Sequence, residues 1–337
     1  MSFNSSKIKL VTGGCGFVGR HLVKKLLEKN SSVWIIDNLF KGKHPDEWLL
    51  KSQKNRIHFI KEDIIDFLKN NPRLPHFDEI YHLAAVVGGR AVLIEQNPIF
   101  IVRDQVIDSV FFDWAVKNRK KINRILYVSS SVAYPNKLQS RKTNGQIAMK
   151  EEFLDVQNNL GEIGLPESIY GWVKVNGEYL AGLAAKKYKM SVVCARPFSG
   201  YGEDQELSYP IPSIALRVAK RENPLVVWGS GNQSRDFVHI DDFIDALCLI
   251  IRKVNDGRGV NIGLGHATSF KEVAKIMAEL EGYKPKIKPL TDKVEGSFTI
   301  LADPALLKSF GWRPKYSVRS GFQKVLDKIK SDLKNNH

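Results

Sequence analysis

Hydrophobic residues in the first half of the chain follow two alternating patterns. Short apolar runs are separated by longer stretches whose apolar residues recur at the spacing of a helix with one buried face. The runs predict strands at residues 8–12, 33–36, 57–60, 79–83, 124–129 and 191–195, and the longer stretches predict helices at 21–29, 99–117 and 167–187. Alternating strands and helices are typical of α/β proteins, so we predict a Rossmann-type, doubly wound parallel sheet with helices on both faces.

The pattern changes after Arg196. Helices are predicted at 209–220, 241–254, 270–281 and 317–333, and short strands at 225–228 and 260–262. Ser269 precedes the third of these helices and is a residue type that caps helix N-termini. We therefore predict a Rossmann domain at 1–195 and a smaller C-terminal α/β lobe at 196–337, partly interleaved with the first domain.

The formal net charge is +15 over 337 residues. A basic face can bind nucleic acid, but the lysines are scattered from Lys7 to Lys334 and often alternate with acidic residues. They do not interleave with aromatic residues as in a strand-binding groove. We therefore interpret the charge as a solvated lysine-rich surface that attracts anionic phosphate compounds, and we expect no nucleic acid partner.

Neither a membrane span nor a metal site is predicted. No apolar run approaches the roughly 18 residues of a spanning helix, and residues 1–6 are polar, unlike a secretory signal. The cysteines Cys15, Cys194 and Cys248 lie far apart and form no Cys-x-x-Cys pair, which argues against disulfides and zinc. We expect a cytoplasmic protein with no membrane partner and no metal.

A glycine-rich turn follows the first predicted strand. Gly14, Gly16 and Gly19 fit G-x-G-x-x-G, and Gly13 with the last two fits G-x-x-G-x-x-G. Such glycines let the backbone approach a pyrophosphate, and the next helix points its N-terminus at that group. Because a strand precedes the turn and a helix follows it, the sequence predicts a dinucleotide site.

Asp37 ends the second predicted strand, where a dinucleotide site carries an acidic residue. Its carboxylate would accept from the adenosine ribose hydroxyls and repel a 2′-phosphate, which favours NAD over NADP despite Lys41 and Lys43 nearby. Asp63 and Ile64 follow the third strand. Asp63 is a candidate either for contact with the adenine amine or for a helix N-cap, and the sequence leaves both open.

Tyr170 and Lys174 open a long predicted helix, and their spacing of four places both on one face. A phenol with a pKa of about 10 is a poor base, but a neighbouring ammonium and a positively charged nicotinamide would stabilise the phenolate. Tyr170 could then exchange a proton with a substrate hydroxyl while a hydride moves. Ser129, Ser130 and Ser131 end the fifth strand at the same sheet edge, where a hydroxyl would bridge substrate and tyrosine.

Seven ordered motifs span nearly the whole chain. They are TGGCGFVG at 12–19, DN at 37–38, HLAA at 82–85, VSSS at 128–131 with Tyr134, Tyr170 with Lys174, RPFSGYG at 196–202 and RDFVHIDD at 235–242. Together they resemble the extended short-chain dehydrogenase/reductase family, and within it the nucleotide-sugar epimerases and dehydratases. The resemblance implies an NAD-dependent enzyme that acts on a nucleotide-diphosphate sugar. It also implies a homodimer in which helices 99–117 and 167–187 pair into a four-helix bundle.

The resemblance assigns roles residue by residue. It implies that Ser130, Tyr170 and Lys174 are catalytic, and that Arg235 holds the nucleotide diphosphate, a task that suits a bidentate guanidinium. An ion pair with Asp236 or Asp241 is the alternative for Arg235. The residues implied for the cofactor are Gly13, Gly16, Phe17, Val18, Gly19, Asp37, Asn38, Asp63, Ile64, Leu83, Ala84, Ala85, Tyr170 and Lys174, and those implied for the substrate are Gly88, Gly89, Arg90, Ser131, Ser199 and Arg235.

Departures from the family pattern bear on the reaction. The 4,6-dehydratases carry an Asp–Glu pair after the catalytic hydroxyl residue, the decarboxylases keep the Glu, and the fucose synthases and GDP-mannose 3,5-epimerases carry a Cys. This chain has Ser131 and Val132 there, and valine cannot transfer protons. The resemblance therefore favours an epimerase that acts through a transient keto-sugar, at C4. An NAD(P)-dependent 4-keto-sugar reductase or dehydrogenase is the first enzymatic alternative, and a dehydratase or 3,5-epimerase is a less favoured one. A dinucleotide-sensing binding module is the non-enzymatic alternative.

Two further features concern the substrate. The Gly88-Gly89-Arg90 turn and the Tyr134-Pro135 pair resemble the GDP-sugar branch, which suggests a GDP-linked sugar. An acidic loop after the turn at 201–202 either supplies an extra acid or base or is simply solvated. The acidic residues of this loop are Glu203, Asp204 and Glu206.

Overall fold

The computed structural model describes residues 7–86, 99–138, 147–158, 164–166, 168–293 and 297–335, apart from the side chains of 99 and 100. The chain divides into two compact units. The first comprises Met1–Ala133, Asp155–Arg196 and Ile244–Val260, and the second Tyr134–Leu154, Pro197–Phe243 and Asn261–His337. Each unit draws on residues from both sides of the predicted 195–196 boundary. The units and the predicted domains are therefore different residue sets, and the domain boundary stays a prediction.

Strands and helices are numbered here in chain order. The strands are β1 (Ile8–Thr12), β2 (Ser32–Ile36), β3 (Ile57–Ile60), β4 (Glu79–His82), β5 (Ile125–Val128), β6 (Ala148–Met149), β7 (Val192–Pro197), β8 (Ser199–Tyr201), β9 (Leu225–Trp228), β10 (Ser234–His239), β11 (Asp256–Ile262), β12 (Ala267–Ser269), β13 (Ile287–Leu290) and β14 (Thr299–Ala302). The helices are α1 (Phe17–Glu28), α2 (Ile64–Lys69), α3 (Ile99–Lys117), α4 (Ile169–Tyr188), α5 (Pro210–Ala219), α6 (Ile240–Lys253), α7 (Phe270–Leu280), α8 (Ala305–Ser309) and α9 (Val318–Asn335).

The large sheet has seven strands in the order β11-β7-β5-β4-β1-β2-β3. The pairings from β3 through β7 are all parallel, which confirms the predicted Rossmann-type α/β fold. Thr12 at the carboxyl end of β1 pairs with Ile36 of β2 and with His82 of β4. Because the strand order reverses between β1 and β4, this edge is the switch point at which such sheets bind ligands.

Apolar side chains on the strands and on α3 and α4 build the core of the first unit. The central strands β1, β4, β5 and β7 are buried on both faces, as expected of parallel strands covered by helices, whereas the edge strand β3 is partly exposed. The two helices pack together, and the small Ala115 of α3 and Ala181 and Ala184 of α4 are almost fully buried beside Phe111. Small residues at this contact let the helix backbones come close, so polar side chains elsewhere on the same faces are enclosed.

Predicted and observed elements differ most at their ends. α1 begins at Phe17 rather than at residue 21, because Gly16 at the end of the glycine turn is its N-cap. α4 ends at Tyr188, where Lys189 turns into the left-handed region with a φ of 56°. Ser269 caps α7 as predicted, and Glu272 completes a reciprocal capping box.

The second unit is built on a smaller sheet. Its strands run β12-β10-β14-β6, with β8 paired to β10, and β13 pairs separately with β9. α5, α7 and α9 pack around a core that includes Tyr201, Phe237, Val273 and Phe322. The sequence did not predict β6, β8, β10, β12, β13, β14, α2 or α8. These elements are two to six residues long, too short to show a period.

No helix within the described ranges combines the length and the apolar character that a membrane span requires. The described cysteines are all free and buried.

Candidate active site

The glycine turn closes tightly between β1 and α1. Gly13 has a φ of +69°, and its N–H donates to the Ile36 carbonyl oxygen at 2.8 Å. A Cβ on Gly19 would lie 2.3 Å from the Gly13 carbonyl oxygen, so a side chain at this position would force the turn apart. Gly13 and Gly19 are thus required by the turn itself.

Gly16 is different, because it leaves space. A Cβ at Gly16 would meet only the Gly13 carbonyl oxygen within 4 Å, at 3.5 Å. α1 starts directly after it without a side-chain cap, so the first-turn N–H groups of Phe17, Val18 and Gly19 have no intrahelical acceptor. An open backbone beside uncapped N–H groups fits a dinucleotide pyrophosphate.

Asp37 joins the end of β2 to the glycine turn. Its carboxylate accepts from the Cys15 N–H at 2.9 Å and from the Leu39 N–H at 2.8 Å. Burial raises the pKa of Asp37, and these two hydrogen bonds counter part of the rise. Asp37 therefore directly follows β2, as predicted, and its carboxylate holds the turn in shape. The ribose contact itself stays a prediction.

Asp63 caps α2 by accepting from the Ile65 N–H at 3.0 Å, which confirms the helix N-cap that the sequence left open. Asn38 donates to the Asp63 carboxylate at 3.1 Å, and Arg103 binds it at 2.9 Å. Ile64 is buried under the cap. The proposed contact of this segment with adenine stays a prediction.

The segment after β4 packs directly on the glycine turn. The N–H groups of Leu83 and Ala84 both donate to the Thr12 hydroxyl at 3.2 Å, and a Cβ on Gly13 would lie 2.8 Å from the Ala84 nitrogen. Ala85 is half-buried. The structure thus brings the predicted cofactor residues of two loops together at the switch point. Gly88, Gly89 and Arg90 lie outside the described residues.

The three serines after β5 have separate environments. Ser129 is buried and its hydroxyl donates to Glu178 of α4 at 2.5 Å, so it is occupied within the fold. Ser130 is half-buried, and its hydroxyl accepts from the Val132 N–H at 3.3 Å. Ser131 is buried. Of the three, Ser130 is the least buried residue, and its catalytic role stays a prediction.

Tyr170 and Lys174 lie in the first two turns of α4, whose N-cap is Ser168. The Lys174 ammonium lies 5.5 Å from the centre of the Tyr170 ring and donates to the Val128 carbonyl oxygen at 3.2 Å. It also lies 5.1 Å from the centre of the Tyr127 ring. The pair is therefore fixed against the carboxyl end of β5.

Gly171 explains how α4 comes so close to the serine segment. A Cβ at this position would lie 2.5 Å from the Val132 carbonyl oxygen. Because Gly171 follows Tyr170 directly, the close approach places the tyrosine next to the segment that carries Ser130. The structure therefore brings Ser130, Tyr170 and Lys174 together, although their positions in the sequence are up to 44 residues apart.

The sequence matches the NAD dependent epimerase/dehydratase family over residues 9–263. This chain belongs to that family. The resemblance seen in the sequence and the predicted NAD cofactor are thereby confirmed, and the chain is an enzyme of this family.

Several members of the family are similar over nearly their whole length. A putative UDP-glucose 4-epimerase of Methanocaldococcus jannaschii is 28% identical, with 96% of this chain and 98% of that protein covered. A GDP-L-fucose synthase of Sinorhizobium fredii is 25% identical over 97% and 96% of the two chains. The crystal structure of UDP-glucose 4-epimerase from Thermotoga maritima with UDP-glucose is 25% identical, has a TM-score of 0.80 and covers 97% of this chain and 99% of that one.

Burial and the neighbouring charges act in opposite directions on the pKa values of Tyr170 and Lys174. Burial raises the pKa of Tyr170, and the Lys174 ammonium opposes the rise. Burial alone would lower the pKa of Lys174, but Tyr170 first, and then Asp108, Asp104 and Glu178, outweigh burial and raise it. Lys174 therefore stays charged, and its charge opposes the effect of burial on Tyr170; the catalytic role of the pair stays a prediction.

A buried polar network beneath this pair was not predicted as part of the site. His82 contacts the Thr12 hydroxyl at 2.7 Å through Nδ1 and Asp108 at 3.2 Å through Nε2. Tyr127 donates to the other oxygen of Asp108 at 2.6 Å. Asp104 lies one helical turn before Asp108 and is fully buried. The only signal in the sequence is the spacing of four between Asp104 and Asp108, which places both on one face of α3.

Glu178 forms the second part of this network, one turn after Lys174 on α4. Its carboxylate binds the Arg196 guanidinium with distances of 2.6 to 3.2 Å, and both side chains are almost fully buried. A Cβ on Gly259 would lie 2.3 Å from this guanidinium, so a glycine is needed there. The bidentate pair anchors α4 to β7 and holds the helix that carries the catalytic residues.

The predicted substrate residues Ser199 and Arg235 lie in the second unit. Arg235 donates to the carbonyl oxygens of Ser234 at 2.7 Å and Ser297 at 2.9 Å. The Asp236 carboxylate accepts from the backbone at 264, 265 and 302 and so organises that loop. Ser199 is half-buried on β8. Their contacts with a nucleotide diphosphate stay predictions.

The acidic loop of the second unit contacts α9 through Glu203. Glu203 contacts His239 at 3.1 Å and Lys324 at 2.7 Å. Burial acts to raise the pKa of Glu203, but these two partners hold it at about 2. Glu206 accepts from the Ser208 hydroxyl at 3.2 Å, and Asp204 is half-buried. Glu203 is thus an ion-paired residue rather than the solvated one considered from the sequence.

Proposed function

We propose that this chain is an NAD-dependent nucleotide-sugar epimerase that acts through a transient keto-sugar, with C4 as the reacting carbon. The observation that carries the proposal is the arrangement of Ser130, Tyr170 and Lys174 beside Val132. The three polar groups suffice to move a hydroxyl proton. The side chain of Val132 has no acidic or basic group that could transfer a proton at carbon. Family membership supports the reaction class.

The residues have complementary tasks in the proposed reaction. Tyr170, as phenolate, removes the proton of the sugar C4 hydroxyl, and Lys174 stabilises that phenolate by its charge. The Ser130 hydroxyl donates to the sugar oxygen and holds it near the phenol. Bound NAD would supply the acceptor and donor of the C4 hydride, and inversion requires that this hydride return to the opposite face of the keto-sugar. Tyr170 then returns its proton to the C4 oxygen of the inverted sugar, so that no net oxidation results.

The identity of the nucleotide is a second part of the proposal. Two relatives support a UDP-sugar, since one is named a putative UDP-glucose 4-epimerase and another was solved with UDP-glucose. The Gly88-Gly89-Arg90 sequence and the relative named GDP-L-fucose synthase support a GDP-sugar. UDP-linked and GDP-linked hexoses are therefore the first compounds to test.

The test is conversion of a panel of UDP-, GDP-, CDP- and dTDP-sugars, with the product followed by NMR. We expect a C4 epimer of one panel member, formed with no net change in the absorbance of reduced nicotinamide. Stoichiometric formation or loss of NADH would instead support the 4-keto-sugar reductase or dehydrogenase, which the relative named GDP-L-fucose synthase favours. Binding of NAD with neither outcome across the panel would support the dinucleotide-sensing module.

We also propose that two copies of the chain form a homodimer through α3 and α4. Both helices keep apolar side chains exposed on the outer side of the first unit. These are Val102 and Val106 of α3, exposed by 42% and 41%, and Ile169, Trp172 and Tyr179 of α4, exposed by 45%, 47% and 39%. A Trp172→Glu variant is expected to shift the protein to monomers in light scattering, and a wild-type protein that is already monomeric at micromolar concentration would refute the dimer.

A further inference from the structure

Asp104 of α3 stands out among the buried carboxyl groups of the first unit. It is fully buried, and one oxygen accepts from the Val86 N–H. Its other oxygen, Oδ2, has no hydrogen-bond partner within the described part of the chain. A buried charge without a partner is costly, so such a group calls for a reason other than stability.

The position of Asp104 supplies that reason. It lies one turn from Asp108, on the face of α3 that packs against α4, and Asp108 binds the Tyr127 hydroxyl at 2.6 Å. The Lys174 ammonium lies over the ring of the same Tyr127, and the charges of both aspartates act to raise its pKa. Asp104 is therefore the neighbour of Lys174 whose own hydrogen bonds are incomplete.

We propose that Asp104 is a positioning residue that sets the charge balance of the Tyr170–Lys174 pair. When Asp104 is charged, it competes for the Lys174 ammonium and disfavours the Tyr170 phenolate. When it is protonated, the ammonium acts on Tyr170 alone. The inference deepens the proposed function and rests on Tyr170 being its acid–base group.

The electrostatics agree with this geometry. Burial raises the pKa of Asp104 to about 7, and Lys174 and the Val86 N–H counter a larger rise. Asp104 in turn raises the pKa of both Tyr170 and Lys174. A carboxyl group that titrates at neutral pH can therefore change the ionisation of the catalytic pair within the physiological range.

Other charged groups surround Asp104, and the proposal takes them into account. The groups that act on Asp104 are Lys174 and Tyr170 of α4, the Val86 N–H, and Asp108 of α3. His82 and Tyr127 bind Asp108 in turn; Glu178 lies on the neighbouring α4 and Asp63 before α2. Glu178 is bound by Arg196 and Asp63 by Arg103, so their charges are matched locally. Burial lowers the pKa of His82, which keeps the ring neutral at the pH at which Asp104 titrates.

The test follows the titration of Tyr170 itself, so that it does not depend on turnover. NAD-loaded protein is labelled with carbon-13 at the tyrosine Cζ, and the Tyr170 resonance is identified by its loss in Tyr170→Phe. In Asp104→Asn, which keeps an acceptor for the Val86 N–H, the Tyr170 midpoint is expected to fall by about one pH unit. Asp113→Asn is the matched control, because Asp113 is an exposed aspartate on the same helix, paired with Lys117.

The outcomes separate the proposal from its alternatives. A Tyr170 midpoint in Asp104→Asn that is not below the wild-type value, or an equal fall in Asp113→Asn, would overturn it. If Asp104→Asn does not fold, the wild-type Tyr170 resonance must show a second, smaller inflection near neutral pH, and its absence would overturn the proposal. A midpoint that falls as expected in a protein that epimerises no sugar would reject the proposed function but leave the role of Asp104 intact.

Discussion

Two carboxyl groups can be compared, that of Asp104 in the first unit and that of Glu203 in the second. In the first unit, Asp104 leaves one oxygen without a partner within the described residues, and burial raises its pKa to about 7. In the second unit, Glu203 binds His239 and Lys324, and these contacts hold its pKa at about 2. Burial acts in the same direction on both, so the number of partners decides the result. A fully paired carboxylate supports the fold, whereas an incompletely paired one can serve the neighbouring chemistry.

The largest expected effect comes from Tyr170. Tyr170→Phe keeps the ring and removes the hydroxyl, so we expect a loss of turnover of about 10³-fold with little change in thermal stability. The measurement is epimer formation by NMR beside a thermal unfolding curve of the NAD-loaded protein. Wild-type turnover in this variant would show that Tyr170 is not the acid–base group of the reaction.

The next largest effect is the loss of folding stability that the buried charge of Asp104 causes. Because its folded-state pKa is raised from 3.8 to about 7, protonated Asp104 favours folding, and this stability is lost as the pH rises between these values. Asp104→Asn is therefore expected to be more stable than wild type by about 4 kcal/mol above pH 8, with little difference below about pH 4. Urea unfolding at the two pH values measures it. A difference that does not grow with pH would contradict the contrast between the two groups.

The contribution of Glu203 to the free energy of unfolding should depend on pH in the opposite direction to that of Asp104, and it should be smaller. Its folded-state pKa is lowered from 4.5 to about 2, so its contribution is present above pH 4.5 and is lost as the pH falls towards 2. Glu203→Gln should lose about 2 kcal/mol of stability at neutral pH, and this loss should vanish in acid. Activity is measured where the variant is folded, because a loss of turnover there would show that Glu203 supplies an acid or base after all.

Much of this site could be predicted from the sequence because its parts are local. The glycine turn, Asp37 and the Tyr170–Lys174 spacing are each contained in a few residues or one helix face, and strand–helix alternation determines which sheet edge they share. Asp104 was not predicted, because its importance depends on what lies across the interface between α3 and α4. Glu203 and Lys324 are more than 100 positions apart in the sequence, and no local sequence pattern predicts a contact between them.

The epimerase proposal is tested most directly by the origin of the hydrogen at C4. The NAD-loaded protein is incubated with the converted UDP- or GDP-sugar in deuterated water, and the product is examined by NMR. Because hydride returns to the carbon from which it came, we predict a C4 epimer without deuterium bound to carbon. Deuterium at C3 or C5 would show proton transfer at carbon, which the valine at position 132 cannot perform, and it would contradict the proposed reaction.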